Sequence, residues 1–341
     1  MIVLDKQPLV SIILPCFNGE KFLGEAIESC LNQTLTNLEL IIVDDGSTDN
    51  SLEIAKSFAS SDSRIVIIEN ETNKKLPKSL NIGHNAAKGD FLTWTSHDNL
   101  LQPDCLEELL NGLINFGSDI TFSDYLVIYE DGTIKRRHSS GPVESLLFGN
   151  SIGPSFLYKK EVFHALKGYN PNLFLVEDFD FWLRASLNFK FIHVSKVLYS
   201  YRLQARSLTY EIHNNPAREK EHENGRYQII KATAEYLNWS YETKELITCF
   251  LLNKNFSLSL YFDNKGVIGR DLKKYCGKFL DLNKTIAALS SILRSQLQSN
   301  DSEKNISTLI QIILKNRKIL FQPHYSNKET FRLIYKCLIS R

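Results

Sequence analysis

The six cysteines of the chain (Cys16, Cys30, Cys105, Cys249, Cys276 and Cys337) include no two close enough in sequence to make a zinc or redox pair. They read as reduced thiols of a cytosolic protein. No apolar run approaches the ~18 residues of a membrane span, and nothing before Pro8 has the pattern of a signal peptide. The expected location is therefore the cytoplasm, with any membrane contact peripheral. An excess of one charge is also missing. With 40 Lys and Arg against 39 Asp and Glu the net charge is +1, which argues against nucleic acid or a strongly acidic partner for the molecule as a whole. There is no repeat of fixed period and no low-complexity linker. Neither Gly-x-Gly-x-x-Gly nor Gly-x-x-x-x-Gly-Lys-Ser/Thr follows the first apolar run, so dinucleotide and P-loop chemistry lose their main support.

What is there begins with length: 341 residues exceed what one core usually supports, so a main domain with an appendage is expected. Residues 9–14 form a continuous apolar run ended by Pro15, and residues 38–43, 64–68 and 91–95 repeat that strand pattern. Helical spacing follows each run. Asn18 is the expected cap of the first helix, Asp49 or Ser47 of the second, and Pro103 opens the fourth after a short polar loop. Strands alternating with helices predict a parallel sheet with right-handed crossovers. After Phe116 the pattern changes to strands at 120–129, 133 onward, 155–158, 191–194 and 197–202, with a helix opened by Glu177-Asp178. The whole is an α/β fold: a mixed sheet, mostly parallel in its N-terminal strands and flanked by helices. Helices then dominate, at 218–236, 243–262, 272–280, 286–297 and 306–320, giving a domain at 1–210 and an α-helical region at 211–341.

Three acidic groups end three elements of the first part: Asp44-Asp45, Asp98 and Glu177-Asp178. In an open α/β sheet ligands bind outside the carboxyl ends of the strands, which is where these acids fall. Without a P-loop, a diphosphate must be neutralised by other means. A divalent cation held by one or two carboxylates and by the phosphate oxygens themselves is the usual Mg²⁺ arrangement.

Pro15-Cys16-Phe17-Asn18-Gly19-Glu20, Val43-Asp44-Asp45-Gly46-Ser47-Thr48-Asp49, Ser79-Leu80-Asn81-Ile82-Gly83 with Ala87-Lys88-Gly89-Asp90, Ser96-His97-Asp98-Asn99 with Pro103, Val176-Glu177-Asp178-Phe179-Asp180-Phe181-Trp182-Leu183-Arg184 and Tyr199-Ser200-Tyr201-Arg202 follow one another in the chain. In that order they resemble the motifs of the inverting glycosyltransferases of family 2, which have the GT-A fold. The resemblance covers residues 10–209 and stops there. It implies transfer of a sugar from a nucleotide-diphosphate donor, UDP-linked in the first instance, to a hydroxyl of a glycan or lipid-linked acceptor in bacterial-type polysaccharide assembly. By the same resemblance Asp98 holds Mn²⁺ or Mg²⁺ on the diphosphate, Asp178 is the general base, and Glu177 orients the acceptor or sugar. Asp45 would accept a hydrogen bond from a uracil or thymine imide, and Asp44 would orient the loop or ribose. Pro15 and Phe17 would flank the base or ribose, with Asn18, Asn73, Lys75, Asn81, His97 and Arg202 on the nucleotide side.

The chain departs from that pattern at three places. Ser96 and Asn99 stand where the metal loop is often acidic, Gln204 where many relatives carry histidine, and Lys75 where glycine is common. Read one at a time, the motifs have plainer explanations. Asp44-Asp45-Gly46 fits a turn with a helix cap, Asp98 a cap, Glu177-Asp178 first-turn acids on a helix dipole, and His97 a solvated loop residue. Trp94 and Trp182 fit core or site walls. Two rival functions follow: a silent sugar-nucleotide-binding or scaffold protein, on the thinned metal loop, and a nucleotidyltransferase. The latter would carry a glycine-rich basic phosphate loop, where this chain has only Gly19 and Lys21. Residues 304–341 hold eight Lys or Arg and one acid, Glu329. Phe331, Ile334, Tyr335 and Leu338 share a helical face there. That fits a basic amphipathic helix on an anionic membrane surface, and equally a docked terminal helix with solvated lysines.

Overall fold

Four apolar runs of the N-terminal half become neighbouring parallel strands, the two central ones buried on both faces and the third lying at the sheet edge. The fold is that of a computed structural model, which describes residues 8–205, 207–299, 303–322 and 325–339. The chain divides into two compact units, Met1–Val143 with Ser151–His222, and Glu144–Asn150 with Glu223–Arg341.

The strands of the first unit are β1 (Val10–Cys16), β2 (Leu38–Asp44), β3 (Ile65–Glu69), β4 (Phe91–Trp94), β5 (Leu100–Leu101), β6 (Ile120–Ile128), β7 (Ile134–His138), β8 (Phe156–Lys159) and β9 (Phe191–Arg202). Between them run α1 (Leu23–Leu31), α2 (Ser51–Ser61), α3 (Leu76–Ala86), α4 (Cys105–Phe116), α5 (Lys160–Ala165) and α6 (Glu177–Ser186); α7 (Leu208–Asn214) follows β9. The sheet order is β3-β2-β1-β4-β8-β6-β9-β5, with β7 paired to β6. β1, β2, β3 and β4 pair in parallel, and β8 turns the sheet antiparallel. β1 and β2 are buried along their whole length, and Leu23, Ala26, Ile27 and Cys30 of α1 pack on them.

Four local expectations need correction. Pro15 does not end the first strand but lies within it, opposite Val43 of β2. Its ring faces the β4 side, where pairing has already stopped at Ile13 and Trp94, so no ladder hydrogen bond is lost. Asn18 does not cap α1. It sits at φ 52, and its Oδ1 accepts from the Thr48 backbone N–H at 2.8 Å, tying the first loop to the second. The segment read as a polar loop before Pro103 contains β5, which pairs with Tyr199 and Ser200 of β9, and α4 starts two residues after the proline. Residues 191–202 are one strand, with irregular register opposite Asp124 where the exposed Ser195 and Lys196 are extra.

The second unit is helical. α8 (Pro216–Tyr236) runs into it from the first, and α9 (Tyr241–Leu251), α10 (Leu258–Cys276), α11 (Leu282–Ser299), α12 (Ile306–Asn316) and α13 (Asn327–Ile339) follow. The pattern read as one helix over 243–262 is broken: Asn253 takes a left-handed conformation at φ 51, and Lys254 closes α9 by donating to the Cys249 carbonyl. The segment read as a separate helix at 272–280 is mostly the end of α10. No helix among the described residues is long and apolar enough to cross a membrane.

α3 buries His84 completely. Its Nδ1 lies 2.7 Å from the Leu80 carbonyl and its Nε2 2.7 Å from the Tyr158 hydroxyl, so the neutral ring donates to one and accepts from the other. Burial lowers its pKa from 6.5 to about 4. Between those two values the unfolded chain binds a proton that the folded one refuses, so stability is present above about 6.5 and is lost as pH falls toward 4. The expected loss is on the order of 3 kcal/mol. Urea midpoints at falling pH would read it; the same slope in His84→Gln would refute it.

Candidate functional site

The carboxyl ends of β1, β2 and β4 carry the first group of candidate residues. Asp44 closes β2; its Oδ2 accepts from the Ser47 N–H at 3.1 Å, while its buried Oδ1 has no hydrogen-bond partner among the described residues. Asp45 is 4% exposed, and its Oδ1 accepts from Asn70 Nδ2 at 2.8 Å and from the Lys74 N–H at 2.9 Å. The loop after β3 is thereby folded onto the loop after β2. Gly46 makes this closure feasible: at φ +75, a Cβ there would stand 3.0 Å from the Asn73 nitrogen. Pro15 is buried, Phe17 is 43% exposed, and Asn73 and Lys75 are exposed.

Lys75 is held away from the first loop. Its backbone, at φ 68 and ψ 157, occupies a region nearly reserved for glycine, and its Nζ lies 5.0 Å from the Phe174 ring centroid and 4.0 Å from a Glu221 carboxylate oxygen. Arg218 approaches the same ring, at 5.5 Å. The loop after β3 is thus bound to the segment just before Glu177.

Asn81 has a different partner from the nucleotide expected of it. Its Oδ1 accepts from the Tyr169 N–H at 2.8 Å and its Nδ2 donates to the Tyr169 carbonyl at 2.7 Å, so both polar groups brace the turn that leads to α6.

Asp98 is 6% exposed at the end of the β4 loop. Around it the structure corrects Arg202. That side chain is 2% exposed, and every nitrogen of its guanidinium is committed. Nε donates to the Asp98 carbonyl at 2.9 Å, Nη1 to the Glu130 carbonyl at 2.7 Å and Nη2 to the Glu25 carboxylate at 2.6 Å, and the group lies 4.4 Å from the Phe22 ring centroid. Arg202 thus anchors the Asp98 loop from behind. Asn99 completes the anchor by accepting from the Arg202 N–H at 2.8 Å. His97 is half-buried rather than solvated: its ring lies against Gly19, where a Cβ would come within 2.5 Å of Cδ2.

Gln204 is a residue that sequence reasoning noted only as a departure. Its Nε2 donates to Asp98 Oδ2 at 2.5 Å. Its position two residues after Tyr201-Arg202 was the signal that could have found it.

The third group opens α6. Glu177 is 4% exposed and its Oε2 has no hydrogen-bond partner among the described residues. Burial, then the neighbouring charge of Asp178, raises its pKa to about 8, so Glu177 holds a proton at neutral pH. A first-turn acid that served only the helix dipole would stay charged and exposed. Asp178 is half-buried, and its Oδ1 accepts from the Phe179 N–H at 2.6 Å. Leu175, two residues before Glu177, has φ 74, a strained conformation for a branched side chain. The Tyr201 hydroxyl links this group to the last: burial raises its pKa, and the charges of both Asp98 and Asp178 raise it further. It donates to Thr209 Oγ1 at 2.8 Å.

Among the described residues no three His, Cys, Asp or Glu side chains converge on a metal-sized site. One buried carboxylate, steadied by an amide, fits a Mn²⁺ or Mg²⁺ that completes its shell with diphosphate oxygens and water. Cys16 is outside this chemistry, since burial pushes its thiol up to about 12.

With this geometry in view, comparison with known proteins is specific. A glycosyltransferase of Haemophilus influenzae, named only as such, is 28% identical over 333 residues, covering 92% of this chain and 98% of its own. Another from the same organism is 37% identical over 149 residues, and the match covers 43% of this chain and 60% of the relative's length. Two solved structures share the fold. S. aureus TarS in complex with UDP-GlcNAc has a TM-score of 0.57 at 17% identity, over 95% of this chain and 91% of that one. A Pyrobaculum calidifontis mannosyltransferase in complex with GDP-Man and Mn²⁺ has a TM-score of 0.52 at 14% identity, over 97% and 86%. Residues 11–181 match the family described as Glycosyl transferase family 2. That match spans half of the chain, which therefore belongs to glycosyltransferase family 2 and has its GT-A fold.

Proposed function

We propose that the protein transfers a sugar, with inversion, from a nucleotide-diphosphate donor to an acceptor hydroxyl, and that UDP is the carrier. The hydroxyl attacks the anomeric carbon on the face opposite the diphosphate, so the reaction needs a base at one side and charge neutralisation at the other. Asp178 takes the hydroxyl proton. Glu177, neutral beside it, is a hydrogen-bond donor to acceptor or sugar and leaves Asp178 as the charged member of the pair. Asp98 would hold Mn²⁺ or Mg²⁺, which when bound supplies positive charge to the diphosphate. Gln204 and Arg202 keep the Asp98 loop in position. Asp45 accepts from the base through the oxygen that Asn70 and Lys74 do not use, with Asp44 shaping the loop and Pro15, Phe17, Asn18 and Asn73 around base and ribose.

The observation that carries the reading is the buried Asp98 carboxylate past the carboxyl end of β4, steadied by Gln204 Nε2 at 2.5 Å and with its loop held by Arg202. The structural relatives in complex with UDP-GlcNAc and with GDP-Man and Mn²⁺ support a sugar-nucleotide donor and a metal. We assign the activity to the cytoplasm and to assembly of a bacterial-type glycan. A lipid-linked acceptor would bring it to the membrane surface, with the C-terminal basic segment as the contact.

The test is nucleotide release from UDP-, GDP- and TDP-sugars with Mn²⁺, Mg²⁺ or EDTA. Slow release from one donor, abolished by EDTA and lowered roughly 10²-fold or more in Asp98→Asn, is expected. The single carboxylate of the metal loop favours one other reading, a silent sugar-nucleotide-binding protein. Tight nucleotide binding with no release under any condition would establish that instead.

A further inference from the structure

The last two helices are apolar on both sides. α12 turns Leu309 and Ile312 into the core of the second unit, and α13 turns in Leu333 and Cys337. These faces account for docking. The opposite faces are apolar as well: Ile310, Ile313 and Leu314 of α12 are 50%, 51% and 79% exposed, and Phe331, Tyr335 and Leu338 of α13 are 71%, 62% and 51% exposed. Each set recurs at three- or four-residue spacing, so each is a continuous stripe along its helix. The outer face of a helix docked on a globular core is ordinarily polar. Stripes of this kind mark an interaction surface.

The charges say what covers it. Residues 310–339 include six Lys and Arg, all exposed, and one carboxylate, Glu329, which accepts from the N–H and Oγ of Ser326. Lys315 has a partner in Asp263 at 3.4 Å; Arg332 and Lys336 of α13 are next in sequence to Phe331 and Tyr335, and Lys318 lies in the turn that follows α12. A second copy of the chain docked across a two-fold axis would set these cations against their own images, which opposes association. An anionic lipid surface meets both features at once, since apolar side chains enter the acyl boundary while lysines and arginines stay among the headgroups. Buried Arg294 ties the segment after α12 to α13, donating to the Leu320 carbonyl and to Thr330 Oγ1 of α13 at 3.2 Å.

We propose that the outward faces of α12 and α13 are a docking site for an anionic membrane surface. The inference rests on the transferase reading for its purpose alone; the binding does not require the reaction. Co-sedimentation of the full chain with phosphatidylcholine vesicles, with and without phosphatidylglycerol, tests it. Binding should be at least roughly tenfold stronger with phosphatidylglycerol and should weaken with salt. The double variants Leu314→Ser/Phe331→Ser and Lys318→Gln/Lys336→Gln should each lose roughly tenfold or more, with unchanged thermal unfolding because all four side chains are exposed. Equal binding to both vesicles, or none, overturns the proposal. So does a dimer in light scattering that Leu314→Ser/Phe331→Ser dissociates, for then the stripes cover each other. As no sugar transfer is read, any of these results leaves the proposed reaction standing.

Discussion

Asp178→Asn is expected to lower sugar transfer by roughly 10²–10⁴-fold, the range that a positioned general base contributes. The substitution is nearly isosteric. The amide oxygen still accepts from the Phe179 N–H, so α6 starts where it did and the fold is kept. The change therefore removes a charge and a proton acceptor while keeping the volume of the side chain. Donor affinity should be held within a fewfold, because the loops after β1, β2 and β3 are tied to one another by Asn18–Thr48 and Asp45–Lys74 bonds that the substitution leaves in place. The informative measurement is the split between kcat and KM for the donor: a fall in kcat alone supports a base, whereas a rise in KM with kcat intact would reassign Asp178 to binding.

Arg202→Met should destabilise the first unit by about 3–5 kcal/mol. Methionine fills similar space and donates nothing, so the buried carbonyl oxygen of Asp98 loses its partner, at about 1–3 kcal/mol, and the part-buried bond to the Glu130 carbonyl is lost as well, at about 0.5–1.5 kcal/mol. Loss of the contact with the Phe22 ring adds about 0.5–2 kcal/mol. The Glu25 pair adds little, because that carboxylate is 56% exposed and screened by water. For a unit of this size a loss of that order lowers Tm by roughly 10 °C. Arg202→Lys would recover only part of it, having one compact donor for three diverging acceptors. Had Arg202 been a diphosphate ligand, both variants would raise the donor KM with no change in Tm. Calorimetry beside donor titration separates the two outcomes.

These two residues also mark what the sequence discloses. That Glu177-Asp178 opens a helix and that Asp98 follows a strand was legible because the signal is local: an acid at the end of an apolar run, with a helix beginning close by. The alternation of strand and helix was legible for the same reason. The internal partners of Asn18, Asn81 and Arg202 were not legible because they are remote: Thr48 is 30 positions from Asn18, Tyr169 is 88 from Asn81 and Glu25 is 177 from Arg202. A polar residue inside a motif reads as a ligand until the fold supplies an internal partner. The two-residue strand β5 was missed on length, and the exposed stripe of α12 because core and surface helices share one apolar period until burial separates them.

The anchoring of Asp98 by β9 has a further consequence, for the order in which the protein acquires its site. The carbonyl of Asp98 is held from 104 positions further along the chain, and its carboxylate from 106. Contacts so distant carry a large loop-closure cost and are rewarded late in folding. During synthesis β1, β2, β3 and β4 can pair while Asp98 still lacks its support. Competence for chemistry thus arrives as one of the last events of maturation in the first unit, after the β6–β9 pairing has closed around Arg202.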